Sequence, residues 1–320
     1  MDKRKIIISV TIALVAILIG HIAKSQIAKN VEPAVKTLSK YQKIRDFTIT
    51  SDGDEGYITL QSPLEEVCVI ALIKKSDNMW SEPEVTRFSG KYKDLEPFLS
   101  PDNLKLYFVS NRPLNSPDGE PKDYDIWYVE RENPGAGWGM PVNIGEPVNT
   151  EHNEFYPAIT NSNNIYITSD RPDSKGQDDI FFCGWNGNQY SEPVSMSESI
   201  NSESYEFNAY VDPDESYLIF SGYNREDGYG SGDMYISFRD SNQNWSEASN
   251  LGDGINSKYM DYCPFVDLIN ETLYFTSRRS SIEPRNDIHS LEDLDKVINI
   301  YENGNSRLYK VKFDLNLYRD

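Results

Sequence analysis

The sequence is poor in the residues from which metal centres, disulfide frameworks and nucleophilic triads are built. Its 320 residues include three cysteines and three histidines. Cys68, Cys183 and Cys263 stand at no motif spacing, and an odd count is no disulfide framework. All three read as small buried residues. His21, His152 and His289 are scattered, and no metal-ligand spacing is present. A G-x-S-x-G elbow is missing. The G-Y-G-S-G stretch at 228–232 lies between two expected strands with no helix behind it, so it is not a phosphate cradle. The loops around Asp52, Asp173 and Asp227 are rich in Asp and Asn, yet none completes an EF-hand pattern. The expectation is therefore no metal and no cofactor, with calcium as the alternative.

Cations are scarce as well. Lys and Arg number 31 against 51 acids, a formal charge of −20. Without residues 1–25, four cations (Lys3, Arg4, Lys5, Lys24) and one anion (Asp2) leave, and the balance falls to −23. Such a surface repels phosphates and anionic lipid, which excludes nucleic acid as a partner. Long apolar runs are absent beyond residue 20. The one run, Ile6 to Gly20, follows Lys3-Arg4-Lys5 and precedes Ala23-Lys24-Ser25. That order is a signal peptide cleaved before Gln26. The run is short for a full span, and an uncleaved N-terminal anchor is the alternative. Either way residues 26–320 are exported, to the periplasm, the cell envelope or the exterior. The membrane is touched only through this segment.

What the chain has in plenty is tyrosine, 21 residues, set in a phrase that recurs. Around Glu154 it reads E-F-Y-P-A-I-T-N-S-N-N-I-Y-I-T-S, then D-I-F-F at Asp179. Upstream it is L-E-P-F-L-S-P-D-N-L-K-L-Y-F-V-S-N-R, then D-I-W-Y at Asp125; downstream, E-F-N-A-Y-V-D-P-D-E-S-Y-L-I-F-S, then D-M-Y-I at Asp233. D-Y-C-P-F-V-D begins the last copy. W-S-E-P at Trp80 returns in altered form at Trp138, Tyr190 and Trp245. A period of about 50–60 residues holding four short strands is one propeller blade. Second strands at Tyr57, Leu106, Ile165, Tyr217 and Leu273 count five blades, with six as the alternative. The last copy lacks a fourth strand, and V-E-P-A-V from Val31 resembles the missing phrase. An open ring would expose an edge, so residues 31–37 should complete the last blade. Residues 280–306 are an insertion. Leu291, Leu294, Val297, Ile298 and Tyr301 fall there at helical spacing behind Ser290 as cap. The expected fold is thus all-β, a single propeller domain over 26–320.

The phrases S-P-D-N-L-K-L-Y-F-V-S-N-R, D-I-W-Y, W-S-E-P and I-N-S resemble the WD-repeat-like repeats of the TolB-type propeller. The resemblance covers residues 31–320. It implies an exported, non-catalytic binding platform.

Two sets of repeated charges are the candidate site residues. Asp94, Glu154, Glu206 and Asp261 begin successive inner strands and would ring one mouth of the channel. They would hold a cation or a basic peptide, or else accept backbone N–H bonds where a loop enters the strand. The first unit breaks this pattern with Arg45 and Asp46. Arginines follow the second strands, and acids open the third. Across the hairpin the expected structural ion pairs are Arg112–Asp125, Arg171–Asp179 and Arg225–Asp233. The fifth copy has Arg307 in place of the acid. The W-S-E-P aromatics read as packing between blades. A glycosidase needs carboxylates on both sides of the scissile bond, single-copy by nature, and here the obvious acids all repeat. The expectation is a non-enzyme: a monomeric scaffold binding protein, peptide or glycan at one face. A carbohydrate-active hydrolase, sialidase-like or otherwise, is the alternative.

Overall fold

The computed structural model describes residues 31–77, 79–114 and 118–319. The expected signal segment or anchor, residues 1–25, lies outside them. Strand β1 (Glu32–Pro33) opens the described chain. The first blade follows with β2 (Lys43–Ile49), β3 (Glu55–Gln61), β4 (Cys68–Ser76) and an outer strand in two pieces, β5 (Met79–Trp80) and β6 (Glu84–Val85). The second blade is β7 (Asp94–Leu99), β8 (Lys105–Ser110), β9 (Asp125–Glu130) and β10 (Val142–Asn143). The third is β11 (Glu154–Ile159), β12 (Ile165–Ser169), β13 (Asp179–Cys183) and β14 (Val194–Ser195). The fourth is β15 (Tyr205–Val211), β16 (Tyr217–Tyr223), β17 (Asp233–Phe238) and β18 (Ser249–Asn250). The fifth is β19 (Asp261–Asp267), β20 (Thr272–Ser277) and β21 (Arg307–Lys312). Its outer strand is β1, antiparallel to β21 with Glu32 opposite Lys310 and Pro33 opposite Tyr309. The fold is a five-bladed, all-β propeller whose ring is closed by the N-terminal strand, as the repeat predicts.

Packing between blades explains the periodic aromatics. Trp138 of the second blade donates its indole N–H to the Tyr57 hydroxyl of the first at 2.7 Å. Trp245 of the fourth meets Tyr166 of the third edge-on, with centroids 6.4 Å apart. The outer strands themselves begin a few residues after each aromatic and are two residues long, too short to template aggregation. Gly230 lies where an added Cβ would meet the backbone oxygens of Tyr259 and Ser257 at 2.4 and 2.5 Å. That is the structural reason for G-Y-G-S-G: the loop presses on the next blade's entrance.

Each inner strand carries a bulge, between Arg45 and Thr48, Leu95 and Phe98, Phe155 and Ala158, Phe207 and Tyr210, Tyr262 and Phe265. At its centre stands a non-glycine residue with left-handed φ: Asp46 (58°), Glu96 (57°), Tyr156 (45°), Asn208 (53°) and Cys263 (54°). The 280–306 insertion includes helix α1 (Leu291–Ile298), capped by Ser290 Oγ accepting from the Asp293 N–H. None of its residues is buried, so the helix stands off the ring rather than packing on it. The insertion joins β20 to β21 on the face from which the inner strands start. The Tyr262 hydroxyl ties it there through Ser306 Oγ at 2.8 Å.

Candidate functional site

The four repeated acids form no open ring. Asp94, Glu154, Glu206 and Asp261 have no solvent exposure. Glu154 takes the Thr150 N–H and hydroxyl, Glu206 those of Ser202, and Asp261 those of Ser257. Each carboxylate thus fastens the loop that feeds its strand. Asp94 does so through the Ser89 hydroxyl, and also accepts the Ser110 hydroxyl of β8.

The arginines close on these acids, which corrects the hairpin pairing. Arg112 Nη2 is 2.6 Å from Asp94, Arg225 Nη1 3.3 Å from Glu206 and Arg279 Nη2 2.9 Å from Asp261. Arg171 instead pairs with Asp173 in its own loop at 3.0 Å. Asp125, Asp179 and Asp233 are otherwise engaged. Asp125 holds Lys122 and Asn143, Asp179 the amides of Lys175 and Gly176 with Ser195, and Asp233 the amides of Tyr229 and Gly230. The third-strand acids close the loop before their own strand and leave the guanidinium to the inner strand. Arg307 donates to the Tyr41 carbonyl instead of pairing with an acid, and the fifth blade's ion pair is Arg279–Asp261. A double-mutant cycle on Arg171 and Asp179 should therefore give a coupling near zero. The cycle on Arg112 and Asp94 should give about 1–3 kcal/mol.

The residues that meet on the axis are the five at the bulges. Contacts between blades that are not neighbours show that they lie there. The Tyr156 hydroxyl of the third blade donates to the Pro264 carbonyl of the fifth at 3.0 Å. Asn208 Nδ2 of the fourth reaches Glu96 Oε1 of the second at 3.5 Å. Arg45 binds both acids at once, through Nε to Asp46 Oδ1 at 3.0 Å and through Nη2 to Glu96 Oε1. The same Nη2 lies 3.4 Å from Cys263 Sγ, and the guanidinium sits 5.4 Å from the centre of the Tyr262 ring. Glu96 also accepts the Tyr156 N–H at 2.8 Å and gives its own N–H to Asp46 Oδ2. Asp46 and Glu96 are 1% and 3% exposed, while the Arg45 side chain keeps 14% and covers them from the mouth. Around that mouth stand half-buried Phe155 and Phe207, with Tyr124 tilted against Phe155 at 5.2 Å between ring centres.

Burial pushes Glu96 up to about 7 against the pull of Arg45, so the pair holds one carboxyl near its titration point at neutral pH. Burial likewise raises Glu154 to about 7, in the one blade of these four whose arginine has gone elsewhere. A buried acid raised in the folded state favours folding below its unfolded value and loses that contribution as pH rises to the folded one. Glu154→Gln should therefore gain stability over the parent between about pH 4.5 and 7, by about 1–3 kcal/mol. Urea melts across that window measure it.

The sequence reading noted Arg45 and Asp46 only as a break in the pattern, and missed Glu96, Tyr156, Asn208 and Cys263. The signal was present. Two residues after each repeated acid, the copies read Glu, Tyr, Asn and Cys, a column that changes from charged to polar to thiol while its neighbours stay apolar. Asn149, Asn201 and Asn256 were missed for the opposite reason, as part of a phrase too regular to question. Each brackets a third strand: Asn201 accepts the Ile180 N–H at 3.0 Å and donates to its carbonyl at 2.9 Å. The cysteines are free thiols, buried as expected, with Cys263 on the axis. Among the described residues no group of three or more His, Cys, Asp or Glu is placed to hold a metal ion.

No family model matches the chain, and no curated protein does. Solved structures do. TolB from Acinetobacter baumannii is similar at 14% identity and TM-score 0.47, over 84% of this chain and 54% of that one, so the chain spans about half of it. The Podospora anserina alpha-L-arabinofuranosidase PaAbf62A, in complex with cellotriose, is similar at 12% identity and TM-score 0.51, over 88% and 94%. BT0996, in an RGII complex, is similar at 9% identity and TM-score 0.53, over 88% and 89%. These likenesses are of fold. They include TolB-like propellers, while a WD-repeat family is not found. The expectation of a non-enzyme does not stand. It rested on a scaffold resemblance and on acids that recur in four blades, whereas arabinofuranosidases share this ring and the bulge position holding Asp46 and Glu96 is acidic in only two of the five blades.

Proposed function

We propose that this chain is an exported glycan-active hydrolase whose reaction centre is the axial pair Asp46 and Glu96. The observation that carries the proposal is the pair itself: two carboxylates, from the only two blades with an acid at the bulge, brought together at the ring axis beside one guanidinium, below an aromatic mouth. Glycoside hydrolysis needs one carboxyl that holds a proton at working pH and one that does not. Burial supplies the first at Glu96. The second is Asp46, whose Oδ1 lies 3.0 Å from Arg45 Nε. Glu96 protonates the leaving oxygen, and Asp46 faces the anomeric carbon, directly or through water. Arg45 swings off the acids to admit the sugar, which stacks on Phe155 and Phe207. The cellotriose bound to PaAbf62A supports a saccharide as the ligand class. The test is turnover of a panel of 4-nitrophenyl glycosides and plant polysaccharides by the purified chain. Release of nitrophenol or reducing sugar is expected from at least one; no release across the panel, from folded protein, contradicts the proposal.

A further inference from the structure

The axis has a second mouth, and its chemistry is unlike the first. Phe98, Tyr210 and Phe265 meet below the polar cluster, with centroid distances of 6.4 Å for Phe98–Phe265 and 5.6 Å for Tyr210–Phe265. They divide the channel. Beneath them opens a cavity of about 300 Å³ lined by all five inner strands, with Thr48, Ile159 and Val266 in its wall. Its rim is made by the turns between first and second strands. Leu268 and Ile269 on that rim are 48% and 71% exposed. The same turns carry exposed Asp52, Asp54, Asp102 and Asp214, none of which forms a salt bridge among the described residues; Asp212 and Asp267 are buried in their own turns. The turn acids that do find a cation are Glu55, Glu215 and Glu271.

We propose that this cup binds a basic peptide that inserts one large apolar side chain. The cavity is at the small end of ligand pockets and takes one aromatic or long aliphatic group. Its wall offers that group apolar surface, and burial of such a side chain is worth about 10–100-fold in affinity. The uncompensated aspartates choose the flanks. They attract lysine or arginine beside the inserted residue, and they oppose an anionic lipid surface. A second copy of a chain with charge −20 would bring the same sign to the rim. The site is separate from Asp46 and Glu96 and stands whether or not those acids are catalytic.

The probe is a fluorescein-labelled pentapeptide, KKFKK, titrated into the full chain by anisotropy beside KKAKK and EEFEE. KKFKK should bind about tenfold or more tightly than either control, with affinity falling as salt rises. Ser51→Trp closes the exposed rim and should weaken KKFKK by about tenfold or more. Because that variant alters a turn, a second one is needed. Asp52→Asn, Asp102→Asn and Asp214→Asn together keep an amide oxygen for each turn hydrogen bond and should weaken KKFKK and shrink its preference over EEFEE severalfold. Equal binding of KKFKK and KKAKK overturns the proposal, as does KKFKK binding that neither variant changes. So does capture of the chain by phosphatidylcholine vesicles, or dimerisation, that Ser51→Trp prevents while KKFKK fails to bind.

Discussion

Asp94→Ala should cost about 3–5 kcal/mol of folding stability. Asp94 is fully buried, and Arg112 brings its guanidinium to within 2.6 Å of it. The arginine cannot retreat cheaply. Its Nε is tied to Ser110 Oγ at 2.9 Å, its Nη2 also to the Phe88 carbonyl at 3.1 Å, and it lies 5.0 Å from the centre of the Phe108 ring. Removing the carboxylate leaves a buried cation without its counter-charge. It also leaves Ser89 and Ser110 without their acceptor. Arg112→Ala should cost less, because Asp94 keeps two hydroxyl donors. Chemical denaturation of the two single variants measures the asymmetry. Equal small losses below about 1 kcal/mol would place this pair with solvent-exposed ion pairs.

Glu96→Gln should lower turnover of the best substrate by about 10²–10⁴-fold, the usual range for loss of a general acid. The amide keeps the shape and still accepts the Tyr156 N–H, so the fold survives. It cannot supply a proton. In the parent, activity should fall as pH rises through about 7, because the proton on Glu96 is then lost. In the variant that limb should vanish with the activity. A substrate with a leaving group that needs no protonation should suffer least, a split that a structural role for Glu96 would not produce.

The fold was legible because a propeller writes itself five times. Tyr57, Tyr107, Tyr166 and Tyr274 sit at like positions of the second strands, with Ile219 standing there in the fourth blade, and four copies of an aromatic phrase pack on them or their neighbours. Even closure by Val31-Glu32-Pro33 could be read, since the last copy lacks what the leader supplies. The candidate site was hidden by the same periodicity. Comparing copies draws the eye to what recurs, and what recurs here holds the blades together: Asp94 on Arg112, Asn201 on Ile180, Trp138 on Tyr57. Function on a symmetric ring is carried by the positions where symmetry fails. Arg45 and Asp46 were visible as such a failure. Glu96 was not, because it lies inside a phrase whose flanking residues match. The ion pairing was misread for a geometric reason. Arg112 follows a strand whose last residue, Ser110, pairs with Asp125, but strand pairing does not say to which side a long side chain folds, and the buried acid on the inner strand attracts the guanidinium more strongly.

The most direct measurement is a structure of the Glu96→Gln protein with the oligosaccharide that the intact chain hydrolyses best. The account predicts a sugar ring in the mouth bounded by Phe155 and Phe207, Arg45 turned off Asp46, and the glycosidic oxygen within hydrogen-bond reach of residue 96. A saccharide seated on the blade rims or in the opposite cup, with Arg45 still bridging Asp46 and residue 96, would contradict it.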